Sequence, residues 1–98
     1  MKKPTIQIFT TGELYSETKR WTIDKANEYM KMFMIENHIQ SNWEIENIAN
    51  YGSKPRYCIT MKQPGVKAVR IDFHKDTLKS IINRIHTNKE DYVALLSL

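Results

Sequence analysis

The chain has 98 residues, with 41% hydrophobic and 27% charged content, a length and composition that suit one globular domain and exclude wholesale disorder. A single cysteine, Cys58, excludes an internal disulfide and any cysteine-built metal site, and reads as a small buried side chain on a strand. The net charge is +4, carried unevenly: residues 1–49 hold six basic and seven acidic residues, residues 50–98 nine and four.

From the amino terminus, Thr5 to Thr11 is rich in β-formers, with Ile6 and Ile8 alternating. Gly12-Glu13 reads as a turn and Leu14 to Arg20 as a returning strand, giving an N-terminal hairpin. Thr22 then suits a helix N-cap, with Asp24 in the first turn and Trp21 just before. Ile23, Ala26, Met30, Phe33 and Met34 recur at helical spacing, with Tyr29 at the edge, so a helix over 23–38 is predicted.

Three strand-like runs follow. The first starts at Trp43 and extends to about Tyr51. Tyr57, Ile59 and Met61 alternate in the second, and Val69, Ile71 and Phe73 in the third. The linkers Gly52-Ser53-Lys54-Pro55 and Gln63-Pro64-Gly65 carry turn residues, the second in the order a type II turn prefers. This predicts a three-stranded antiparallel meander. A second helix is expected from about Lys75 to His86, with Leu78, Ile81, Ile82 and Ile85 on its apolar stripe. Asn88, with Asp91 three residues on, reads as an N-cap for a short apolar tail, Tyr92 to Leu98, packed on the domain's own core. The expected fold is therefore α+β: a hairpin over 1–21, an αβββα core over 22–86 and a helical tail over 87–98, with one sheet face covered by both helices.

No enzyme signature emerges. His38, His74 and His86 lie far apart and none pairs with a carboxylate or a second histidine at metal-ligand spacing. The three glycines fit neither Gly-x-Gly nor Walker patterns, and Gly52-Ser53-Lys54 lacks nucleophile-elbow spacing. The expectation is a non-catalytic protein without metal or cofactor. The start, Met1-Lys2-Lys3-Pro4, lacks the apolar stretch of a signal peptide, and no segment approaches the ~18 apolar residues of a membrane span, so a cytoplasmic location is expected.

Basic residues carry the functional expectation. Between Lys54 and His86 there are eight Lys or Arg against two Asp. Lys54 and Arg56 border the first meander turn, and Lys62 and Lys67 flank the second. Arg70 alternates with Val69 and Ile71 and so faces away from the core. Lys75 and Lys79 stand four apart at the start of the second helix, where free N–H groups and the dipole attract phosphate. Tyr51 and Tyr57 beside the basic turn are candidates for stacking on bases. A concentration of cations like this is the footprint of a polyanion binder. The expected partner is nucleic acid, RNA favoured, bound through its phosphate backbone.

The order helix, meander, helix resembles that of the double-stranded-RNA-binding domain. The resemblance implies RNA contact through helix 23–38, the turn Gly52-Ser53-Lys54-Pro55-Arg56, and Lys75 with Lys79. The family's lysine- and alanine-rich helix start is missing here, where the chain reads His74-Lys75-Asp76-Thr77-Leu78-Lys79. HicA-type toxins, small mRNA-cleaving proteins, share this core. Val69-Arg70-Ile71 followed by Thr77-Leu78-Lys79-Ser80-Ile81-Ile82 is similar to their last strand and helix. Their Gly-Ser-His turn bears the catalytic histidine, and Lys54 occupies that position here. That likeness implies that cleavage is lost while RNA binding is kept.

A different class of function is also open. Met32 and Ile35 fall on the helix face otherwise occupied by Asp24, Glu28 and Lys31, and two apolar groups there fit a partner or homodimer surface. Lys, Asn and Ile make up 30 of the 98 residues, a bias towards A/T-rich codons such as many bacteria and phages carry. The alternative is thus a phage- or mobile-element-type inhibitor or adaptor that binds a host or defence protein.

Overall fold

The computed structural model describes residues 10–49, 52, 54–62, 65, 69–73 and 76–97. Seven elements follow in chain order: α1 (Thr11–Glu17), α2 (Ile23–Glu36), β1 (Trp43–Asn47), β2 (Tyr57–Met61), β3 (Arg70–Asp72), α3 (Leu78–Thr87) and α4 (Lys89–Leu96). The protein is an α+β domain in which the three strands form one antiparallel sheet of order β1-β2-β3, as the meander pattern requires.

The expected N-terminal hairpin needs correction. Residues 5–9 lie outside the described residues, the supposed turn and the first part of the return strand, up to Glu17, are instead helix α1, and Thr18 to Arg20 belong to the linker after it. The cause is local. The Glu13 N–H donates to Thr10 Oγ1 at 3.0 Å, and the Thr10 hydroxyl donates to the Glu13 carboxylate at 3.0 Å. Thr10-Thr11-Gly12-Glu13 has the capping-box sequence pattern, and the Thr10 side chain satisfies one of the orphan donors of the helix start, the Glu13 N–H. Gly12 lies in the first helical turn and makes no bend.

Helix α2 begins where expected, with Thr22 Oγ1 accepting from the Lys25 N–H at 3.2 Å. Its end is a Schellman motif: Ile39 N–H donates to Met34 O at 2.9 Å and His38 N–H to Ile35 O at 3.3 Å, with His38 at φ +54°. Ile39 is then buried under the last turn. Strand β1 is shorter than the predicted run to Tyr51. After Asn47 the chain leaves the strand because Asn47 Oδ1 accepts from the N–H groups of Ala49 and Arg56, at 3.0 and 3.1 Å, and so organises the connection to β2. Gly52, at φ +86°, supplies the left-handed residue that this connection needs.

The second predicted helix also starts later than expected. Thr77 is the N-cap, its Oγ1 accepting from the Ser80 N–H at 3.1 Å, so Asp76 stands outside the helix and Lys79 is in its first turn. The placement of Lys75 lies outside the described residues. Asn88 does not cap α4 with its side chain; its Nδ2 donates back to Arg84 O at 3.1 Å and closes α3 instead.

Register places Ile45, Ile59 and Ile71 in one row across the sheet, with Trp43 opposite Met61. This apolar face packs with Tyr29, Met30 and Phe33 of α2 and with Ile81, Ile82 and Ile85 of α3 in one core. Leu96 on α4 is fully buried, and its carbonyl accepts from Trp43 Nε1 at 2.9 Å, so the apolar tail closes on the domain's own core. The outer edge of β1 is also occupied: Ile45 N–H donates to Asn27 Oδ1 at 2.8 Å and Asn27 Nδ2 to Ile45 O at 3.1 Å. A helix side chain thereby takes the place of a fourth strand at that position. Among the described residues no helix is long and apolar enough to cross a membrane.

Candidate functional site

A cleft of about 770 Å³ opens where three segments converge. The linker between α1 and α2 contributes Lys19, Arg20 and Trp21. The approach to β2 contributes Lys54, Pro55, Arg56 and Tyr57. The start of α3 contributes Asp76, Thr77, Leu78 and Lys79. Among the described residues, Lys19, Arg20, Lys54 and Lys79 make no ion pair. Asp76 is engaged by Arg84 at 2.8 Å, and the Arg84 guanidinium also lies 5.8 Å from the centre of the Phe73 ring. The cleft's carboxylate among the described residues is thus paired with a cation outside the lining, and of the lining cations only Arg56, through Asp72, is in an ion pair among the described residues.

Each wall is held in place by specific contacts. Helix α1 is pinned by Glu36, whose carboxylate accepts from Thr11 N at 2.8 Å and Thr11 Oγ1 at 2.9 Å. Tyr15 stacks on His86 of α3 at 4.1 Å and 9°, and its hydroxyl donates to Asn83 Oδ1. The Glu36 contacts hold the first residue of α1 and the Tyr15 contacts hold its second half, from which the Lys19-Arg20-Trp21 linker follows. Trp21 is half-buried, edge-on to Tyr29 at 5.9 Å and tilted against Tyr15 at 6.5 Å. The Asn47 carbonyl clamp described above holds the Arg56 backbone, and so sets the position of Lys54 and Pro55.

Behind this wall lies a part-buried polar pair. Tyr29 Oη sits 2.7 Å from His86 Nδ1. Burial pushes the Tyr29 phenol above its ordinary pKa. Burial, with the nearby Lys89 charge, also holds the His86 imidazole below its ordinary value, against an opposing pull from Glu36. Both groups are therefore neutral at pH 7, and the pair acts as a structural hydrogen bond between α2 and α3.

Not all the cations expected to act together do so. Lys54, Arg56 and Lys79 share the cleft. Lys62 and Arg70 belong to the other face of the sheet, where alternation also places Glu44, Glu46, Cys58, Thr60 and Asp72. There Lys62 Nζ meets Glu46 Oε1 at 3.0 Å. Hydrogen bonds from Lys62 and Thr60 hold the Glu46 carboxyl below its ordinary pKa, and the charges of Lys62 and Arg70 add to the effect. Arg56 is shared between the two regions: its Nε donates to Asp72 Oδ2 at 3.1 Å, and that carboxylate raises the guanidinium's pKa. Lys67 and Lys75 lie outside the described residues, as does Tyr51.

Comparison with protein-family models, with curated proteins and with solved structures finds no match. The site therefore rests on its own geometry.

Lys19, Arg20 and Trp21 were not among the site residues expected from sequence. Three consecutive basic and aromatic residues were a visible signal, but assigning them to a strand and a helix entry concealed it. Tyr57 does line the cleft, whereas nothing from α2 does. Met32 packs against the core and is half-buried, whereas Ile35 is 68% exposed. Of the two, Ile35 carries most of the exposed apolar surface. Among the described residues no group of three His, Cys, Asp or Glu side chains is placed to hold a metal ion.

Proposed function

We propose that the protein binds nucleic acid through its phosphate backbone, with the cleft between α1, β2 and α3 as the contact site and RNA as the first ligand to test. The observation that carries this reading is the convergence of Lys19, Arg20, Lys54 and Lys79, from three separate segments, around one concavity whose only carboxylate among the described residues is already paired. Cations gathered without counter-charges raise the local potential and attract polyanions. The first turn of α3 holds no acidic residue, so its N–H groups and dipole add to that field. Binding here needs no catalytic group, and Lys54 contributes charge alone.

The test is retention on single- and double-stranded RNA and DNA across a salt series. Four phosphate contacts predict a log–log slope of roughly −3 on a single strand and a little steeper on a duplex. Absence of binding at low salt, or binding whose strength does not vary with salt, would remove the proposal.

A further inference from the structure

The cleft is aromatic as well as basic, and a phosphate backbone alone does not account for that. Its volume, about 770 Å³, falls within the ~300–1,000 Å³ of sites that enclose a small organic group. Trp21 and Tyr57 both line it, and both are half-buried and packed on one side against the protein. Pro55 and Leu78 add apolar surface at the same place. In a duplex the base faces are stacked on one another and only their edges reach the grooves. A concave aromatic site would therefore meet backbone there and no ring. Extruding a base from a duplex costs a few kcal/mol, whereas an unpaired strand offers its bases freely.

We infer that the cleft seats an unpaired base, so that the preferred ligand is single-stranded nucleic acid, with the base against Trp21 and Tyr57 and its flanking phosphates on Lys19, Lys54 and Lys79. This deepens the backbone-binding reading and rests on it. The pattern is the one used by sequence-tolerant single-strand binders, in which aromatic platforms take the rings and a cationic groove tracks the phosphates.

The test compares a single-stranded RNA oligonucleotide, the duplex of the same sequence, and heparin, a polyanion without bases. Trp43 is 1% exposed and gives a constant background, so fluorescence quenching on binding reports Trp21. The single strand is expected to bind at least about tenfold more tightly than the duplex and to quench Trp21, since each stacked base contributes on that scale. Tyr57→Leu and Trp21→Leu should each weaken single-strand binding about tenfold while leaving heparin retention unchanged. Should Trp21→Leu fail to fold, Tyr57→Leu and the quenching of the native protein decide the matter. Equal affinity for strand, duplex and heparin without quenching overturns the base seat but leaves backbone binding standing. Failure to bind any of the three overturns both.

Discussion

Two cationic regions of this protein are built from the same residue types and have opposite electrostatic character. On the open face of the sheet, Lys62 bonds to Glu46, Arg70 adds its charge beside the same carboxylate, and Arg56 donates to Asp72. In the cleft, Lys19, Arg20, Lys54 and Lys79 converge without ion pairs among the described residues, and the carboxylate present there, Asp76, is satisfied by Arg84 from behind. Cross-strand register causes the first outcome, because it places acids and bases on one face within reach of each other. Convergence of three segment ends causes the second. A count of lysines and arginines does not distinguish these regions; only the position of the carboxylates does.

The widest separation between the regions should appear in a paired set of variants. Lys19→Gln, Lys54→Gln and Lys79→Gln together remove three phosphate contacts and should weaken RNA binding about 100-fold in 0.1 M salt. Lys62→Gln with Arg70→Gln removes one charge paired with Glu46 and one that lies beside the same carboxylate, and should change affinity by less than about threefold. Equal losses in the two sets, measured by fluorescence anisotropy, would erase the distinction.

The next effect concerns how the cleft wall is held. Glu36→Ala removes the carboxylate that accepts two hydrogen bonds from Thr11, and Thr11 is buried. Chemical denaturation should show a loss of about 2 kcal/mol, the scale of hydrogen bonds to a charged group. Binding should weaken in the same variant, because the Lys19-Arg20-Trp21 linker follows α1. Normal stability in Glu36→Ala would show that α1 is not held by this carboxylate.

A smaller change should move one cation from the first class to the second. Asp72→Asn removes the charge that compensates Arg56 at the cleft rim. Affinity for RNA should rise about threefold, with a slightly steeper salt dependence. No gain would indicate that Arg56 remains held away from the ligand.

The smallest expected effect is on the pH dependence of stability. His86 has a folded pKa below its ordinary value, so the unfolded chain takes up the proton first as pH falls. The contribution is complete above about pH 6.5 and is lost as the pH drops through the folded value. His86→Gln keeps a hydrogen-bonding side chain near Tyr29 but cannot titrate there. Its stability should vary less between pH 7 and pH 5 than that of the native protein, as followed by thermal unfolding. Parallel pH profiles for the two would remove His86 as the cause.

Local sequence signals carried much of this architecture. Thr22 and the apolar spacing after it set α2, and the alternation Tyr57-Ile59-Met61 set β2, because side-chain period and capping chemistry act over a few residues. The capping box Thr10-Thr11-Gly12-Glu13 was legible too, but Gly12-Glu13 also fits a turn, and the alternating run before it favoured that reading. Which cations are neutralised was not legible. Arg56 and Asp72 stand sixteen positions apart, as do Glu46 and Lys62, and their meeting depends on strand register. Lys19 and Lys79 share a cleft because α1 docks on α2 and α3 through Glu36 and His86. The sequence by itself therefore determined the elements and the supply of positive charge. The distribution of that charge between a compensated sheet face and an uncompensated cleft was decided only by tertiary structure, because Coulomb interactions depend on distances in space between residues remote in the chain.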